Sequence, residues 1–234
     1  MQPRKGGLSI RDLADGRLVY DILSSRVGYD PKEYAPIYAS MREEGLFPLL
    51  VAIILSQNTN DKNAIAAFEE LRAVIGVTVE ALSKADPVEI GEAIKKAGLY
   101  RQKAKAIAEV ARLVRDRGGE NYLRNSGARE IRELLLGIKG IGRKTVDVFL
   151  AVTGKDKVFA VDTHAFRIAR RWGLVGPRAS YEETSRALLE FFGPDVADEA
   201  HRLIISLGRK YCTARNPRCP ECPLRDVCPH ALKG

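Results

Sequence analysis

The sequence predicts an all-α protein, on three observations. Apolar positions recur at the three-to-four-residue spacing of an amphipathic helix along almost the whole chain. Alternating apolar and polar runs long enough to build a sheet are missing. Complete start and stop chemistry for a helix also appears, most fully around "DPVEIGEAIKKAG", where Asp86, Pro87 and Gly98 serve as cap, first residue and stop.

The elements follow in order. "LFPLLVAIIL" (46–55) is apolar on every side and reads as a buried helix, since ten residues are too few to span a bilayer. At Asp86 the side chain can accept an orphan amide, and Pro87 sits where its missing N–H costs nothing. A helix over 101–117 places Ala104, Ile107, Ala108, Ala111 and Val114 on one face, arginine and lysine on the other, and stops at Gly118-Gly119. Residues 118–127 read as a long connection. "REIRELLLGI" and "RKTVDVFLAV" are two helices joined by a turn in which Gly140 and Gly142 flank Ile141. Asp162 caps a further helix with Ala165, Phe166 and Ala169 on its apolar face. Val196, Ala200, Leu203, Ile204 and Leu207 form a last stripe that leads into Cys212. Neither an internal repeat nor a low-complexity linker interrupts the chain.

A chain of 234 residues, 45% of them hydrophobic, can bury a core as one large domain or two small ones. Its formal net charge of +8 is spread along the chain rather than packed into a tail, which points to a polyanionic partner, most often nucleic acid. A thermophile-like surface of mixed charge accounts for the density but less readily for the sign. "MQPRKGGLSIRD" lacks an apolar core and a small-residue cleavage site, so an intracellular protein with no membrane segment is expected, not a secreted one. In a reducing compartment four cysteines within the last 23 residues indicate metal rather than disulfides.

The glycine turn can carry chemistry. Gly140 and Gly142 permit positive φ and leave no Cβ in the way, so a phosphate can reach the amides that open the next helix, and Arg143 adds charge to the same grip. A ligand-free tight turn is the simpler reading of the glycines alone. Asp162 by itself needs no role beyond its cap, and His164 reads as a structural residue of a first helical turn. Cys212, Cys219, Cys222 and Cys228 are spaced C-x6-C-x2-C-x5-C, a thiolate set that suits zinc and an iron–sulfur cluster alike. Arg215 and Arg218, held between the first two cysteines, can face phosphates.

The segment from "GIKGIGRKT" to "AVDTH", with Lys144 and Asp162 18 residues apart, resembles the helix-hairpin-helix glycosylase superfamily. Together with "CTARNPRCPECPLRDVC" it resembles the endonuclease III family of DNA glycosylases and AP lyases. The likeness extends through "LLVAIILSQNTNDKN" and "AGLYRQKAKAI", and so covers the chain from about residue 40 onward. It implies two helical lobes: residues 40–156 as a six-helix lobe with the hairpin, and residues 1–39 with 157–234 as a lobe carrying the cluster loop. Among the metals that suit four thiolates, the resemblance selects a [4Fe-4S] cluster. It also implies that Lys144 attacks C1′ of a damaged nucleotide, with Asp162 stabilising positive charge on the sugar and assisting proton transfers. An unperturbed lysine is neutral about once in a thousand near pH 7, so Lys144 needs activation, which Arg143 and the helix N-terminus would favour.

The same likeness makes Leu99 a wedge and either Gln57 or Asn58 the group that fills a vacated base position. The implied partner is double-stranded DNA with damaged bases or abasic sites, bound by a monomer. Lys139 departs from the family, where proline is frequent ahead of the hairpin. A thymine or uracil mismatch glycosylase of the same superfamily and a non-catalytic DNA-binding module are the alternatives.

Overall fold

The computed structural model describes residues 8–233; the opening "MQPRKGG", part of the segment expected to lack a secretion signal, lies outside the described residues. Among them are thirteen α-helices joined by loops and short 3-10 turns, with no strand. No helix among them is long and apolar enough to cross a membrane. The chain divides into two compact units, Asp30–Asp156 and a terminal unit in which Met1–Tyr29 joins Lys157–Gly234. Helix α1 (Gly16–Arg26) belongs to the terminal unit.

The middle unit holds α2 (Ala35–Arg42), α3 (Leu46–Leu55), α4 (Asp61–Val74), α5 (Val79–Lys84), α6 (Pro87–Ala93), α7 (Tyr100–Asp116), α8 (Glu120–Asn125), α9 (Ala128–Leu136) and α10 (Arg143–Val152). It begins at Asp30 rather than at 40 because α2 is tied to α4: the Ala35 N–H donates to the Asp61 carboxylate at 3.2 Å, and the Tyr38 hydroxyl donates to Glu69 at 3.0 Å. Every residue of α3 from Phe47 to Leu55 is buried, which explains its lack of a polar face. Each large side chain buried there contributes on the order of 1.5–3 kcal/mol.

Both ends of α3 are closed by charged side chains. The amides of Leu46 and Phe47 donate to the Glu120 carboxylate, the second at 3.0 Å. At the other end the Lys103 ammonium donates to the Leu55 carbonyl at 2.8 Å. An acid at the positive end of the helix dipole and a base at the negative end are each favourable.

These contacts revise two expectations. Residues 118–127 contain α8, because Glu120 must be held where it reaches the start of α3. Lys103, expected on the basic face of α7, lies on its buried face with Ala104, Ile107, Ala108, Ala111 and Val114. The α6 region follows its signals more closely. Asp86 accepts the Val88 N–H at 2.7 Å and forms a capping box with Glu89. The α-helix stops at Ala93, and a 3-10 turn, Lys95–Ala97, carries the chain to Gly98.

The terminal unit is completed by α11 (Thr163–Arg171), α12 (Tyr181–Phe192) and α13 (Ala197–Lys210). Its core gathers Ile10, Leu23, Phe159, Trp172, Phe192 and Leu203. The Ile10 N–H donates to the Trp172 carbonyl at 2.8 Å, fixing the 3-10 turn Ile10–Asp12 to the end of α11. Ala200, Leu203, Ile204 and Leu207 are buried on α13, and its last turn delivers Cys212, whose N–H donates to the Leu207 carbonyl at 2.8 Å.

Candidate DNA-processing site and cluster loop

In the middle unit, α9 and α10 are joined by a six-residue turn, Gly137 to Gly142. Ile138 and Ile141 are buried and pin the turn from beneath, while Lys139, Gly140 and Gly142 face solvent. Gly140 has φ +97°, which disfavours any residue with a Cβ, and a Cβ there would meet nothing within 4 Å. The turn is therefore both left-handed and open on its outer face. Gly142 caps α10 without a side chain, so the cap residue supplies no acceptor for the first-turn amides. Arg132 on α9 bonds Asp147 on α10 at 2.5 Å and Asp156 at 2.9 Å, which fixes the two helices of the hairpin to each other. Asp147 is 3% exposed, so this pair is largely withdrawn from water.

Lys144 is half-buried in the first turn of α10, beside exposed Arg143. The next residue, Thr145, is buried, and its hydroxyl accepts a hydrogen bond from Gln57 Nε2 at 2.8 Å. The structure thus separates Gln57 from Asn58. Gln57 is joined to α10 beside Lys144, whereas Asn58 is exposed with a left-handed backbone, φ 51°. Leu99 is also left-handed, φ 48°, and is 52% exposed as the cap residue of α7.

In the terminal unit Asp162 caps α11, accepting the Ala165 N–H at 2.7 Å. His164 in the first turn contacts Arg167 through Nδ1 at 2.9 Å. Burial pushes the His164 ring below its ordinary pKa, with the neighbouring Arg167 and Arg209 acting in the same direction and Asp162 opposing. The ring itself is only partly buried. The same helix holds the cysteine loop. Arg167 Nε donates to the Cys212 carbonyl at 2.9 Å, and Arg171 donates to Cys212 Sγ at 3.1 Å and to the Thr213 carbonyl at 2.7 Å.

None of the four cysteines is joined in a disulfide, and each is partly buried. Burial pushes the Cys222 thiol up to about 11, and the neighbouring Cys228, Cys212 and Cys219 add to the rise, so the four sulfurs lie within each other's electrostatic reach. Among the described residues no three His, Cys, Asp or Glu side chains are drawn together as ligands of a single ion. Backbone N–H groups oppose the rise, that of Leu224 at Cys222 and those of Ala231 and His230 at Cys228. Four partly buried thiols within electrostatic reach of one another, with amide and guanidinium donors to sulfur, form a donor set whose chemistry fits an iron–sulfur cluster. Between the first two ligands, Arg215 is exposed. Arg218 is exposed as well, and it bonds the Lys210 carbonyl, pairs with Glu221 at 3.6 Å and lies 5.6 Å over the Tyr211 ring.

A glycine hairpin between two packed helices, with a lysine in the first turn of the second, on an all-helical scaffold, defines the class. Residues 51–194 match the HhH-GPD superfamily of base excision DNA repair proteins, and residues 212–228 match the iron-sulfur binding domain of endonuclease III. The chain belongs to the endonuclease III family and is an enzyme of base excision DNA repair. Its cysteine loop is the [4Fe-4S] site of that family. It is 34% identical to endonuclease III of Sulfolobus acidocaldarius over 92% of this chain and 95% of that one. Two solved structures are similar in fold at 25% identity. One is a non-covalent endonuclease III–DNA complex, with TM-score 0.76 over 97% of this chain and 98% of that one. The other is a trapped endonuclease III–DNA covalent intermediate, with TM-score 0.74 over 94% and 98%.

Proposed function

We propose that the protein is a bifunctional DNA glycosylase and AP lyase acting on oxidised pyrimidines in duplex DNA, with Lys144 as its nucleophile. The observation that carries this reading is the placement of Lys144 in the first turn of α10, directly after an open glycine turn whose amides can hold a phosphate. The neutral Lys144 amine attacks C1′, the glycosidic bond breaks, and the base leaves with the electron pair and takes up a proton. Loss of the amine proton and opening of the sugar ring give an imine. Removal of a C2′ proton then expels the 3′ phosphate oxygen and cuts the strand on that side.

Asp162 supplies a carboxylate to this chemistry. One of its oxygens is committed to the Ala165 cap, so the other stabilises positive charge on the sugar and assists the proton transfers. Gly140, Gly142 and Arg143 hold the phosphate backbone without reading sequence. Leu99 is the wedge and Asn58 fills the vacated space, because Gln57 is engaged with Thr145 and Asn58 is exposed. Arg215 adds a phosphate contact. The [4Fe-4S] cluster, held by Cys212, Cys219, Cys222 and Cys228, supplies rigidity to its loop rather than a reacting centre. The covalent state of the solved relative supports the lysine route. The enzyme acts as a monomer inside the cell, in the cytoplasm or at the nucleoid.

The test is borohydride reduction during reaction with duplexes that contain an oxidised pyrimidine. The wild type becomes covalently attached to DNA and cuts the strand, and Lys144→Gln does neither. Base release from a thymine or uracil mismatch without trapping selects the monofunctional mismatch glycosylase instead, and an abasic duplex left intact selects a pure binding module.

A further inference from the structure

Among the described residues Lys103 is the only lysine or arginine that is buried, with 3% of its surface exposed. Its Nζ donates to the Leu55 carbonyl at 2.8 Å and to the Ala97 carbonyl at 2.7 Å. Leu55 is the last residue of α3, and Ala97 is the last of the 3-10 turn before α7. Just beyond each carbonyl the chain enters the left-handed region at a residue with a Cβ: Asn58 after Leu55, and Leu99 after Ala97. Asn216 is the one other described non-glycine residue that does so.

That backbone state is disfavoured because Cβ crowds a carbonyl oxygen, and it persists only where the surroundings over-determine it. Neither side chain provides that restraint, since Asn58 and Leu99 are both exposed. The restraint common to the two loops is the Lys103 ammonium. Lys103 also holds Leu99 through its own backbone, its N–H donating to the Leu99 carbonyl at 3.1 Å. Both partners of Nζ are carbonyl dipoles, and the Leu55 carbonyl belongs to a helix C-terminus, where a cation is favoured.

We propose that Lys103 is a positioning residue that locks the Asn58 and Leu99 loops together as one rigid probe of the base stack. This rests on the reading of those two residues as the groups that enter DNA when a nucleotide is turned out. Without the ammonium each carbonyl is released, and each loop relaxes toward ordinary right-handed backbone independently. The wedge then meets the duplex floppy, and ordering it is charged against extrusion. The chemistry at Lys144 is untouched.

The experiment compares wild type, Lys103→Met and Lys103→Arg on an abasic site in a duplex, with 2-aminopurine opposite, and on the same abasic strand alone. The single strand needs no extrusion. For Lys103→Met, single-turnover cutting of the duplex is expected to fall roughly tenfold or more, with loss of the 2-aminopurine fluorescence rise, while cutting of the single strand stays within about twofold. Lys103→Arg, which keeps the donors, recovers part of the duplex rate. Equal losses on both substrates, or no loss on the duplex, overturn the proposal.

Amide exchange in the free protein decides independently of activity: residues 56–60 and 97–100 should exchange faster together in Lys103→Met, and unchanged protection at either loop overturns the coupling. A wild type that cuts neither substrate refutes the lyase reading, while the exchange result still judges Lys103. If the methionine variant does not fold, Lys103→Gln, with two amide donors to share between the carbonyls, is read by the same measurements.

Discussion

Asp162 accepts the Ala165 N–H at 2.7 Å, and asparagine can make the same cap, so substitution separates the helix-capping role from the charge. Asp162→Asn should leave stability within about 0.5 kcal/mol of wild type and lower the single-turnover excision rate by roughly a hundredfold or more, with DNA affinity little changed. Asp162→Ala should lose that rate and about 1 kcal/mol of stability as well, read from urea melts. Gly208 answers to a different constraint, close approach rather than chain reversal. A Cβ on it would lie 2.2 Å from His164 Nδ1 and within 3.0 Å of that residue's Cγ and Cβ. The helix gains about 1 kcal/mol from alanine in place of glycine, but the ring bound to Arg167 must move to admit it. Overpacking of this kind costs about 1–3 kcal/mol, so Gly208→Ala should lower the melting temperature rather than raise it. A melting temperature equal to or above wild type would show that the His164 ring can give way freely.

Helix α3 shows which features of an element are legible in sequence. Its apolar content is local, and burial on every side follows from it directly. What closes its ends is not local. Glu120 lies 74 residues from Leu46, and Lys103 lies 48 from Leu55, so neither the existence of α8 nor the burial of a lysine within "YRQKAKAI" can be read from periodicity. The hairpin and the cysteine spacing were legible because their chemistry is contained in a few consecutive residues. The bond that ties Gln57 to Thr145, 88 residues away, was not.

The end caps also set a pH dependence for this element. Burial pushes the Lys103 ammonium down to about 8 from its ordinary 10.5, although its two carbonyl acceptors favour the charged form. Between those values the unfolded chain binds more protons than the folded one, so this residue's contribution to stability rises with pH across the window and is lost as pH falls through about 8. The change is at most about 3 kcal/mol. Urea melts at about pH 7 and about pH 10 should therefore show wild type gaining on Lys103→Met at the higher pH; a constant difference between the two proteins would refute the shift.

At the scale of the molecule the net charge of +8 is uneven: the terminal unit carries 18 lysines and arginines against 12 acids. Several of those cations are engaged in internal bonds. Arg167 and Arg171 hold the Cys212 segment, Lys210 donates to the Val27 carbonyl at 2.7 Å, and Arg218 is bound to the Lys210 carbonyl, Glu221 and the Tyr211 ring. Arg215 remains exposed on the same loop, as do Lys139 and Arg143 at the hairpin. Counterion release counts phosphate contacts rather than formal charge, each contributing a slope of about −0.9 in the logarithm of affinity against the logarithm of salt. Arg215→Ala should therefore shallow the salt dependence of duplex binding by roughly one, and so should Lys139→Ala. Arg218→Ala removes the same formal charge yet should leave the slope unchanged and lower thermal stability instead, because its guanidinium holds the loop in place. Equal loss of slope from Arg215 and Arg218 would mean that the internal bonds of Arg218 yield when DNA arrives, and that net charge rather than geometry sets the grip.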